Sequence, residues 1–132
     1  QGRQLVGTGW VSHVLQGLAV AMWSAPDGTA LLERGRETYR RRRQALAGAL
    51  AARGVEAHAR SGMNVWLPVA DEGAVTRRLL DAGWAVLAGE RFRLRSPPAI
   101  RVTVSTLEVT EADRLAGDIE AAMAPRRRTR LA

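Results

Sequence analysis

Pro97-Pro98-Ala99-Ile100-Arg101-Val102-Thr103-Val104-Ser105 is the stretch on which the fold turns. Ile100, Val102 and Val104 alternate with Arg101, Thr103 and Ser105, the period-two pattern of a strand that buries one face. Proline cannot donate to a sheet ladder, so the Pro97-Pro98 pair marks the earliest point at which pairing can begin. Arg101 then shares the polar face with Thr103 and Ser105, where a planar guanidinium beside two hydroxyls would make a fork for a carboxylate or phosphate. An arginine on a solvated strand face satisfies the same pattern, and the stretch alone leaves both readings open.

Working outward, the 132 residues suffice for one domain with a modest core and are too few for two comfortable ones. The apolar fraction of 46% and charged fraction of 25% are those of a soluble globular protein. No apolar run reaches the roughly 18 residues that span a bilayer, and no signal-peptide pattern opens the chain. The expected location is therefore cytoplasmic, with no membrane partner. Cysteine is absent, which removes disulfides, thiolate chemistry and the usual zinc sites. The net charge is +7, and all 20 basic residues are arginine. That uniformity fits a genome of high GC content as well as it fits an anionic partner. It also has a chemical consequence, because without a lysine amine this chain forms no Schiff base.

The start at Gln1, without methionine, reads as the interior of a longer protein. Trp10 to Trp23 reads as a helix whose apolar residues nearly encircle it, which calls for cover on more than one side by another domain or a partner chain. A second helix runs from about Thr29 to Arg53, with Leu32, Tyr39, Leu46, Ala49 and Leu50 as its buried stripe and Gly54 as its stop. Its run Arg40 to Arg43 wraps roughly 300° of the helix, so it forms no flat basic patch. Val55 to Ala59 and Met63 to Val69 read as a hairpin around Ser61-Gly62. Asp71-Glu72 open a short helix that Gly83 stops, and Trp84 to Ala88 reads as a buried strand. Gly89 to Ser96 is an arginine-rich loop around Phe92. Thr110 with Asp113 suggests a capping box for a last helix buried through Leu115, Ile119, Ala122 and Met123. Pro125 ends it, and Arg126 to Arg130 form a basic tail expected to be disordered.

Helix, helix, strand, strand, helix, strand, strand, helix is an α/β chain of the layered α+β kind. His58 has no histidine or carboxylate at metal-ligand spacing and His13 lies in the apolar helix, so both read as structural and no metal site is expected. There is no glycine-rich phosphate loop and no constellation for hydrolysis, so no catalytic residue is assigned.

Several segments resemble the C-terminal small domain of fold-type I aminotransferases that use pyridoxal phosphate. Ser12 and Gln16 on the first helix carry part of the likeness, as do Arg36, Tyr39, Arg42, Arg43 and Leu46, similar to the pattern R-x-x-Y-x-x-R-R-x-x-L. Ser61-Gly62-Met63-Asn64-Val65-Trp66 is similar to the G-G-x-F-x-W strand, with Asn64 at the aromatic position. Gly89-Glu90-Arg91-Phe92 is similar to the P-G-x-x-F loop, with Ala88 in place of proline. Ile100 to Val104 looks like the strand whose arginine grips a substrate α-carboxylate. Gly9 to Gln16, Asn64 to Val69 and Phe92 to Pro98 further resemble the MocR-type subgroup of GntR-family transcriptional regulators.

The resemblance implies a mostly antiparallel sheet of about four strands covered by helices. It also implies three parts: residues 1–27 as linker and apolar interdomain helix, 28–125 as the small domain, and 126–132 as tail. Arg101 is implied as the carboxylate-binding residue, with Asn64 and Phe92 lining the cleft. Pyridoxal 5'-phosphate is implied for the intact parent and not for this fragment, which is not expected to be an enzyme by itself. The large domain, an N-terminal winged helix-turn-helix that binds DNA, and the cofactor lysine would lie outside the chain. A homodimer and an amino-acid-like effector are the remaining implied partners. Two alternatives stay open, the small domain of a working aminotransferase and an independent basic nucleic-acid-binding domain.

Overall fold

The computed structural model describes residues 12–125, so the start at Gln1 and the basic tail lie outside the described residues. Four helices and three strands follow in the order α1 (His13–Ser24), α2 (Gly28–Ala52), β1 (Asn64–Pro68), α3 (Glu72–Asp81), β2 (Leu87–Ala88), β3 (Ala99–Thr103) and α4 (Ala112–Met123). Short 3-10 turns occupy Gly89–Arg91 and Val109–Glu111. The chain divides into two compact units after Arg36, within α2.

In the first unit, α1 has no buried residue, and Val14, Leu15, Leu18, Val20, Met22 and Trp23 are all exposed. The chain turns back at Pro26-Asp27, where the Gly28 N–H donates to the Ala25 carbonyl at 2.9 Å. Gly28 is buried, and a Cβ there would collide with the Met22 carbonyl oxygen. The tight reversal therefore requires glycine.

The second unit holds the core. β3 is central in an antiparallel sheet of order β1-β3-β2, with Trp66 opposite Arg101 on one side and Leu87 opposite it on the other. The predicted alternation holds: Val65, Leu67, Ile100 and Val102 are buried, while Asn64, Trp66, Arg101 and Thr103 lie on the other face. The buried face packs with Leu46 and Leu50 of α2, Val75 and Leu79 of α3, and Leu115, Ala116, Ile119 and Ala122 of α4. Leu32 departs from the predicted α2 stripe and is exposed, as the stripe becomes buried only near Leu46.

The predicted stops of α2 and α3 are both Schellman turns. Gly54 (φ 69°) and Gly83 (φ 90°) adopt the left-handed conformation, and the following N–H groups of Val55 and Trp84 reach back to the Leu50 and Leu79 carbonyls at 3.0 and 2.7 Å. α3 begins as expected, with the Asp71 carboxylate accepting from the Ala74 N–H at 2.9 Å.

Among the described residues three strands form where about four are expected. Val55 to Ala59 makes only one bridge to β1, His58 opposite Trp66, because Arg43 takes up the neighbouring carbonyls of Ala59 (3.1 Å) and Gly62 (2.5 Å). Trp84 to Ala88 shortens to Leu87–Ala88, since the Trp84 N–H is already committed to the end of α3. The predicted Thr110–Asp113 box is displaced. Glu108 and Glu111 form the box, and Asp113 instead receives the Arg53 guanidinium at 2.8 Å.

Candidate functional site

A sheet covered by helices on one face leaves its other face to do something else. Here cross-strand registration puts His58, Trp66, Arg101 and Leu87 in one row across that face, because residues directly opposite one another project to the same side. Arg101 stands at the middle of the row on the central strand. Its guanidinium carbon lies 4.0 Å from the centroid of the Phe92 ring, a cation–π contact. Phe92 in turn meets Trp66 edge-to-face, with ring centroids 5.9 Å apart and planes at 82°. The structure thus brings Arg101 and Phe92 together and adds Trp66, which stands in the sequence only as the last residue of the Ser61–Trp66 strand motif.

The expected pair of hydroxyls beside Arg101 is not what forms. The Thr103 hydroxyl donates to Asn64 Oδ1 at 2.8 Å, and Ser105, beyond the end of β3, offers its carbonyl to Arg42. Asn64 therefore sits on the same face as Arg101 but is tied to Thr103. Among the described residues, Arg101 Nε is the buried side-chain nitrogen or oxygen left without a hydrogen-bond partner. An unsatisfied buried donor on a charged group is costly, and a ligand acceptor at the guanidinium is one way to offset that cost. Beside Trp66 lies a depression of about 530 Å³ whose lining includes His58, Glu56, Pro97 and Pro98.

The arginine-rich loop that carries Phe92 is held by a residue that local sequence patterns do not single out. Glu72, 8% exposed, accepts from the Ala99 N–H at 2.8 Å, from the Glu90 N–H at 2.9 Å and from the Arg93 guanidinium. Three donors satisfy a buried carboxylate that would otherwise be strongly penalised.

The four-arginine run also resolves into structure. Arg40 pairs with Glu37, lowering the Glu37 pKa below its ordinary value, while Arg42 reaches Glu108 at 3.1 Å and Arg43 holds the turn before β1. No group of three or more metal-ligating side chains occurs among the described residues.

Comparison with known proteins turns this geometry into a family assignment. The family described as aminotransferase class I and II matches residues 1–119. The chain belongs to the class I and II aminotransferase family. The chain is 38% identical over 119 residues to the vitamin B6 salvage pathway transcriptional repressor PtsJ of Salmonella typhimurium, a match covering 89% of this chain and 28% of the repressor. It is also similar to a tetra mutant of Thermus thermophilus aspartate aminotransferase, with a TM-score of 0.61 and 29% identity over 72% of this chain and 27% of that one. The chain thus spans little more than a quarter of the length of the two proteins it matches. The resemblance and the layered fold class read from the sequence are both borne out by these likenesses.

Proposed function

We propose that this chain is the C-terminal part of the effector-binding domain of a MocR-type, GntR-family transcriptional regulator, and that Arg101 binds the carboxylate of an amino-acid-like effector. The observation that carries the reading is Arg101 itself, central on the sheet, in cation–π contact with Phe92, with its Nε unpartnered. Identity of 38% to a transcriptional repressor supports the regulator over an enzyme. The cofactor side of such a site does not fit the residues of this chain, which has no lysine to carry a Schiff base. In this reading pyridoxal phosphate is held by the rest of the parent protein, DNA is bound through a separate domain, and the parent is a cytoplasmic homodimer that covers α1. Asn64 and Phe92 line the effector cleft.

The test is a spectroscopic titration of pyridoxal phosphate into the full-length protein and into this chain. Stoichiometric binding is expected in the full-length protein alone, and stoichiometric binding by the chain sinks the partition of the site. The second reading, the small domain of a working aminotransferase, is favoured by the likeness to aspartate aminotransferase. Sustained amino transfer from an amino acid to a 2-oxo acid by the full-length protein decides for it.

A further inference from the structure

Glu72 is a buried carboxylate that packing alone does not require. Its three donors come from the beginning, middle and end of one connection: Glu90 in the 3-10 turn, Arg93 in the loop, and Ala99, the first residue of β3. Phe92 lies between the first two of these anchors. The Phe92 and Arg93 N–H groups both return to the Gly89 carbonyl, at 2.8 and 3.0 Å, which closes the turn beneath the ring. Gly89 is buried in the same contact, and a Cβ placed on it would lie 2.5 Å from the Ala99 carbonyl oxygen and 3.3 Å from Glu72 Oε1. The loop therefore closes on the carboxylate with no room to spare.

The ring so fixed lies beneath the Arg101 guanidinium carbon and meets Trp66 edge-to-face. An arginine side chain is flexible, and ordering it on binding costs affinity, so a ring already in contact with it reduces that cost. A cation–π contact uses the charge and not the N–H donors, which stay available to a carboxylate.

We propose that Glu72 is a positioning residue for Arg101: by clamping the loop that carries Phe92, it sets the guanidinium in the orientation that receives the ligand's carboxylate. The proposal rests on Arg101 as the carboxylate-binding residue, and its test separates the two. In the full-length protein loaded with pyridoxal phosphate, calorimetry compares L-alanine with ethylamine, an amine of the same kind without the carboxylate. Wild type is expected to prefer L-alanine, and Arg101→Ala to abolish the preference. Glu72→Ala and Phe92→Ala are each expected to reduce the preference by about tenfold through L-alanine alone. Phe92→Tyr, which keeps a ring, should retain it. Should Glu72→Ala fail to fold, Glu72→Gln and Arg93→Met loosen the same clamp more gently and carry the same expectation. An unchanged preference in the clamp variants, or a parallel fall in both affinities, overturns the positioning role while Arg101 stands. A wild type that binds both compounds equally, or neither, overturns the Arg101 reading itself.

Discussion

Helices α1 and α4 are the same length, twelve residues each, yet α4 buries five side chains and α1 buries none. Composition separates them in part, since α4 carries the charged residues Asp113, Arg114, Asp118 and Glu120 whereas α1 has no Asp, Glu or Arg. Placement completes the difference. The buried residues of α4, Ala112, Leu115, Ala116, Ile119 and Ala122, follow the i, i+3, i+4, i+7, i+10 pattern and make one stripe, which one layer of sheet and helix covers. Apolar residues of α1 run almost continuously from Leu18 to Trp23, so no single layer can cover them. A helix can thus be apolar and still contribute nothing to the core of its own chain.

The sharpest way to break the contrast is at Ile119, which is fully buried. Ile119→Ala should destabilise the chain by about 2–5 kcal/mol in urea unfolding, from lost burial and the cavity left behind. A cost below about 1 kcal/mol would show that α4 is not the anchor described. Next comes the end of α4, where Arg78 donates to the Ala122 and Ala124 carbonyls at 2.7 and 2.8 Å. Arg78→Met should cost about 1.5–3 kcal/mol, and an unaltered urea midpoint would remove the cap from the account.

A smaller effect belongs to the start of α4. The hydrogen bond from Arg53 holds the Asp113 carboxyl below its ordinary pKa of 3.8. A depressed carboxylate pKa contributes stability that is complete above the unfolded value and is lost as pH falls through the folded one. Unfolding curves should therefore show a loss beginning below about pH 4 that Asp113→Asn reduces. Asp113 is 78% exposed, so screening keeps the effect small. If the mutant retains the full acid dependence, other carboxylates carry it. The smallest change is expected on α1, where Leu18→Ala should leave stability within about 0.5 kcal/mol. A loss above that value would mean that α1 is packed after all.

Legibility in the sequence followed the range of the interactions. β3, β1 and the glycine stops at Gly54 and Gly83 rest on alternation and local turn chemistry, and the sequence displays both. The strand expected at Val55 to Ala59 has the alternation too, but Arg43, 16 residues before Ala59, takes the carbonyls its hairpin needed. Glu72 was legible only as a negative charge at a helix start, because its partners lie 18, 21 and 27 residues further on. For Arg101 the alternation gave the face but not the neighbour. Phe92 reaches it from a loop, and only the family resemblance put the two in one cleft.

Finally, the order β1-β3-β2 leaves two outer strands whose outward peptide groups are the usual templates for unwanted strand addition. β2 is only two residues long, and β1 is already bridged at Trp66 by His58 and ends in Pro68, which has no N–H to offer. Among the described residues the sheet is thus poorly suited to growth by recruiting another chain, and aggregation through its rim is disfavoured. Self-association of this chain, where it occurs, should leave the amide-exchange pattern of β1 and β2 unchanged.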